Sequence, residues 1–175
     1  MLHLYLIVVR LRCLEREASR AWQKQLEEHF FWDAEARMDV KHAVTSSSIR
    51  QRYLKDLLLQ WRGAMFSYDE GLVAADGAGD AVLAAAVWRN VFAARDDIDV
   101  RHLAAVVGWM RQCLQALDRM PDSGLQTGLQ GVFQSSPLSQ LRLVDEPTEQ
   151  LRSFEAEVRE VETGTPKKEV KSRFS

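Results

Sequence analysis

The chain has 175 residues, 46% of them apolar, with five Trp and seven Phe and a formal net charge of −2. That length serves one domain that buries roughly two thirds of its unfolded surface, and the composition excludes a disordered polyelectrolyte. A charge so near neutrality gives no general attraction to nucleic acid or anionic lipid. Four Pro, nine Gly and a single Asn leave few turns, so the expected class is all-α: one bundle-like domain of about five core helices, then a C-terminal helix and a disordered tail.

The first predicted helix runs from about Leu2 to Leu14, apolar almost from Met1 but interrupted by Arg10 and Arg12. A bilayer span needs about 18 clean apolar residues, and the basic n-region and cleavage site of a secretory signal are missing. A domain rarely opens on an apolar helix with no lead-in, so an earlier segment is expected to be absent from this chain. The second helix, about Glu17–Val40, is nearly contiguous with the first. The third, about Ser48–Ala75, has Ser46, Ser47 and Ser48 as N-cap candidates. Its stripe of Ile49, Tyr53, Leu57, Trp61, Ala64, Tyr68 and Leu72 recurs every three or four residues.

That helix ends in Tyr68, Asp69, Glu70 and Gly71. Acidic side chains late in a helix oppose its dipole by a few tenths to about 1 kcal/mol each. A compensating arginine is therefore expected from outside the helix, with Arg10, Arg89 and Arg101 as candidates. A Gly/Asp-rich break follows, at Asp76, Gly77, Gly79 and Asp80, and a fourth helix spans about Asp80–Ala94. Arg89 lies on its face opposite Val87 and Val91. Asp99 is a plausible N-cap for the fifth helix, which carries Val100, Leu103, Val107, Met110, Leu114 and Leu117 and ends at Met120 before Pro121.

The Gly-, Ser- and Gln-rich stretch 122–146 reads as an irregular arm beyond a core of residues 1–121. Pro147 suits the first position of a peripheral helix over 147–162, whose Leu151, Phe154, Val158 and Val161 form a narrow seam. A basic tail, 163–175, is expected to be disordered. Cys13 and Cys113 each fall in an apolar helical pattern without CxxC spacing, which predicts two reduced, buried thiols.

Catalytic signatures are absent. Gly77 and Gly79 match no phosphate-binding loop, and no nucleophile elbow or Cys/His pairing occurs. On the second helix, with Trp22 at zero, His29 falls at about −20°, Asp33 at about 20°, Leu26 at about 40° and Arg37 at about 60°. An i,i+4 ladder at the core edge, with Asp33 between His29 and Arg37, explains that face more simply than acid-base chemistry or metal ligation. A di-metal bundle needs Glu-x-x-His on two helices and two more carboxylates, whereas only Asp99 and His102 have comparable spacing. No cofactor is expected.

Five pieces in order resemble the ubiquinol–cytochrome c chaperone family: Leu2–Arg12 (LHLYLIVVRLR), His29–Met38 (HFFWDAEARM), Ser67–Gly71 (SYDEG), Leu83–Phe92 (LAAAVWRNVF) and Asp99–Leu103 (DVRHL). The resemblance covers about Leu2–Met120. It implies an all-helical, non-catalytic chaperone that binds newly made cytochrome b together with a small assembly partner of respiratory complex III. It also implies action on the matrix side of the mitochondrial inner membrane, peripheral to it and near the mitochondrial ribosome. The positions it marks for partner recognition are Arg10, Arg12, Asp33, Arg37, Tyr68, Asp69, Glu70, Trp88, Arg89, Arg101 and His102. Two alternatives stand beside it. One is a metal-dependent helical enzyme using His29, Asp33, Asp69, Glu70 and His102, and the other a helical regulator that binds nucleic acid through its basic tail.

Overall fold

A computed structural model describes residues 1–146 apart from Asp76. The predicted helix over 147–162 and the tail beyond it lie outside the described residues. The fold is all-α: α1 (Leu2–Leu11), α2 (Arg16–His42), α3 (Ser47–Val73), α4 (Gly79–Asn90), α5 (Val100–Asp118), α6 (Leu125–Val132) and α7 (Leu141–Asp145), with 3-10 turns at Asp122–Gly124 and Pro137–Gln140. No strand occurs among the described residues.

The core gathers α1, the C-terminal half of α3, α4 and α5. Leu4, Tyr5, Leu6 and Val8 of α1 are all buried, the condition of a helix that is apolar around most of its circumference. They pack with Trp61, Ala64 and Tyr68 of α3, Leu83, Ala86 and Val87 of α4, and Val107, Trp109, Met110, Cys113 and Leu117 of α5. Val100, the first residue of the predicted α5 stripe, is instead 71% exposed. Asp99 caps α5 as expected, accepting from the backbone N–H of Arg101 at 2.9 Å.

Helices α2 and α3, each 27 residues and therefore about 40 Å long, form a hairpin that extends past this core. Ile49 and Tyr53, at the start of the α3 stripe, are about half exposed, because only α2 lies beside them there. Arg50 ties the tip together by donating to the carbonyls of Val44 and Thr45, both at 2.9 Å. Further in, the Trp61 indole donates to Glu27 at 3.0 Å. None of the three serines caps α3 through its side chain; the Ser46 and Ser48 hydroxyls bond each other.

The Gly/Asp-rich break serves a close crossing of α3 and α4. A Cβ on Gly71 would lie 2.8 Å from the backbone nitrogen of Leu83, and one on Gly79 would lie 2.8 Å from the carbonyl oxygen of Gly71. Asp80 then accepts from Arg111 at 2.8 Å, fastening the start of α4 to α5. The fourth helix stops at Asn90, short of the expected Ala94. Ala93 and Ala94 both adopt positive φ, a turn held by the Trp88 indole donating to the Arg95 carbonyl at 2.7 Å and by Ala94 N–H donating to Trp88.

The stretch after Met120 is not an irregular arm in its described part. Its short helices pack on α5: the Trp109 indole donates to the Ser135 carbonyl at 2.8 Å, and His3 sits edge-on between Trp109 and Phe133. Cys113 is buried as expected, but Cys13 is exposed, because α1 ends at Leu11 and the following turn carries Cys13 out of the apolar face.

Candidate partner-binding surface

Two arginines fix α1, and they do so differently. Arg10 is only 8% exposed. Its guanidinium donates to the carbonyls of Leu117 and Met120, each at 2.9 Å, and pairs with Asp122. A cation at the C-terminal end of α5 complements that helix's dipole and bonds its last carbonyls. Arg12, just past the end of α1, pairs with Asp69 at 2.7 Å, and Tyr5 donates to the same carboxylate oxygen at 2.9 Å. The compensating arginine for Asp69 is therefore Arg12, and not Arg10, Arg89 or Arg101. The helix ending at Leu11, three residues earlier than expected, sends Arg12 toward α3 while Arg10 stays on the α5 side.

Burial and the Asp69 carboxylate push the Tyr5 hydroxyl well above its ordinary pKa, and burial raises Tyr68, which packs against Tyr5 at 4.9 Å, to about 12. Both phenols are thus neutral across the physiological range and act as packing and hydrogen-bonding groups.

The remaining marked residues are dispersed. Asp33 and Arg37 form an i,i+4 ion pair at 2.7 Å with both side chains more than half exposed, so the ladder lies out in solvent and not at the core edge. His29 is exposed and packs loosely on Trp32. Arg101 pairs with Asp99 and Asp145, which holds the Asp99 carboxyl below its usual range. Glu70, Arg89 and His102 are exposed, and Trp88 is half-buried in the turn after α4. By contact, the marked residues fall into separate groups: Arg12, Asp69 and Tyr68, joined through Tyr5; Asp33 with Arg37; Arg10 on the end of α5; and Arg101 with its two aspartates. Among the described residues no three His, Cys, Asp or Glu side chains converge as a metal site would require.

The surface best shaped to receive a partner lies elsewhere. A groove of 750 Å³ runs between α1, the first half of α2 and the segment opening α6. Ile7, Leu11 and Leu14 form its floor side, Trp22 and Leu26 one wall, and Leu125 and Leu129 the other, with Glu15, Gln25, His29 and Asp122 among its polar lining groups. Trp22 is 41% exposed. Beside the groove, Arg10 fastens α1 to the end of α5 and to the turn from which Leu125 departs. None of the eleven marked residues lines this groove. Its signal in the sequence was the Trp22–Leu26–His29 face of α2, which carries large apolar groups although Ser19 is the one buried residue of that helix.

A family model described as ubiquinol-cytochrome C chaperone matches residues 1–133, and the chain belongs to that family. It is 40% identical over 127 residues to the Saccharomyces cerevisiae protein named "Protein CBP3, mitochondrial", covering 73% of this chain and 37% of the yeast protein. It is 28% identical over 124 residues to human ubiquinol-cytochrome c reductase complex assembly factor 1, covering 69% of this chain and 38% of that protein. The Drosophila melanogaster protein of that name is 29% identical over 123 residues, 45% of its length. The chain thus spans less than half of each of these three proteins. No solved structure matches.

Proposed function

We propose that this chain is the helical core of an assembly chaperone for ubiquinol–cytochrome c reductase, one that holds newly synthesised cytochrome b together with a small partner protein. Family membership supports the assembly role, and the names of the yeast and human relatives point to mitochondria and to complex III. The observation that carries the holding mechanism is the apolar groove beside α1, walled by the exposed Trp22 and by Leu26.

The groove receives one apolar face of a client helix, as in helix-in-groove recognition. Trp22 is the anchor, a large ring with an indole N–H that suits a half-wet interface. The proposed action is binding without bond-making. Affinity is moderate, and release comes when the next assembly partner competes for the client. The proposed location is the matrix face of the inner membrane, held there peripherally; no described helix is long and apolar enough to cross a bilayer.

Replacing Trp22 or Leu26 by Glu tests this. Co-purification of cytochrome b should fall about tenfold or more, the loss typical of an interface anchor. The thermal midpoint of Trp22→Glu should change little because that ring is 41% exposed, whereas Leu26→Glu should also lower the midpoint because Leu26 packs on the core. Undiminished capture by both variants refutes the groove as the client site.

A further inference from the structure

A second surface, separate from the groove, lies on α3. Leu59, Phe66 and Val73 recur every seventh residue and are 66%, 78% and 80% exposed. Arg52 and Lys55 lie at the N-terminal end of the same face and Glu70 near the C-terminal end, all exposed. None of those three makes an ion pair with a described residue. On a helix these six positions fall within about 60° of one another. Gly63 lies midway along the face, about 20° beyond one edge of that arc, and a Cβ there would meet nothing within 4 Å. A glycine weakens a mid-helix turn relative to alanine, and no contact within the described chain requires one at this point. A second backbone crossing close to α3 would.

The pattern is self-complementary. The face reads basic, apolar, small, apolar, acidic from its N-terminal to its C-terminal end. A parallel neighbour would set basic against basic. An antiparallel copy sets Leu59 against Phe66 of the second copy, and Arg52 and Lys55 against its Glu70. Each contact is made twice, as a closed two-fold interface demands. An anionic membrane surface or an acidic helix would satisfy Arg52 and Lys55 but would meet Glu70 with like charge.

We propose that the outer face of α3 joins two copies of this chain in an antiparallel pair, about a two-fold axis passing beside Arg62 and Gly63. Three exposed apolar side chains per copy place the interface at or below the lower size limit for stable complexes. The dimer is therefore weak and exchanging, with a dissociation constant on the order of 10–100 µM. Arg62 approaches its own equivalent near the axis, a like-charge contact that limits affinity.

Sedimentation equilibrium of the full chain, up to several hundred micromolar, tests this, with circular dichroism confirming that each variant is folded. Glu70→Lys alone and the pair Arg52→Glu with Lys55→Glu should each raise the dissociation constant about fivefold or more, since each loses charge pairing at two equivalent places. The three changes together should restore it to within about twofold, and Arg62→Ala should lower it. A chain monomeric throughout the range overturns the proposal, as does a dimer indifferent to these charges or one that the triple variant fails to restore. Self-association seen only when anionic vesicles are added overturns it too and assigns the face to a lipid surface.

Discussion

Replacing Arg10 by methionine is the most informative change to the fold, because it removes the charge and keeps most of the apolar stem. Two charge-assisted hydrogen bonds to the carbonyls of Leu117 and Met120 disappear. Bonds of this type contribute about 1.5–3 kcal/mol each, partly offset because a buried guanidinium no longer has to be desolvated. A net loss of about 3 kcal/mol follows, a large part of the roughly 5–15 kcal/mol that holds a typical domain. At about 2–4 °C per kcal/mol for a chain of this size, the thermal midpoint should fall by about 6–12 °C. The pair with Asp122 adds little, since that carboxylate's side chain is 68% exposed, so Asp122→Asn should cost less than about 1 kcal/mol. Arg10→Lys should recover only part, because one ammonium does not reproduce the forked geometry that reaches both carbonyls and the carboxylate. Urea titrations of the three variants decide the matter. If Arg10→Met falls within about 0.5 kcal/mol of the parent, or Asp122→Asn proves as costly, the assigned role of Arg10 is wrong.

Further expectations concern the α3–α4 crossing and the thiols. Gly71→Ala should destabilise by about 1–3 kcal/mol, measured by the same titration, because its Cβ would press on the backbone of Leu83 and force the helices apart. A thiol reagent should titrate one cysteine in the native chain, Cys13, and two after denaturation. Burial raises Cys113 from an ordinary value of 9.0 to about 11. Its folded pKa exceeds its unfolded one, so its contribution to stability is complete below about pH 9 and is lost as pH rises toward 11. Cys113→Ala should therefore flatten the decline in stability between those values, whatever it does to the baseline.

The helical class and the start of α5 were legible because they are local. Three- and four-residue periodicity marks α3 and α5, and Asp99 caps the helix it was expected to cap. The partner of Asp69 was legible in kind but not in identity. Choosing between Arg10 and Arg12 depends on where α1 stops, and a shift of a few residues rotates a side chain to another face. The short helices after Met120 were illegible because segments of five to eight residues have no stability of their own and form only against Trp109 and its neighbours. The groove was hidden for a different reason. Its walls come from α1, α2 and the segment around Leu125, far apart in sequence, and the Trp22–Leu26 face of α2 read only as an edge of the core.

The holding mechanism is tested most directly by where a client touches the chain. A photoreactive amino acid placed at Trp22 or Leu26 should crosslink to newly made cytochrome b during its synthesis in mitochondria. The same probe at Val100, exposed but outside the groove, should not. Crosslinks from position 100 with none from 22 or 26 would contradict the groove as the place where the client is held.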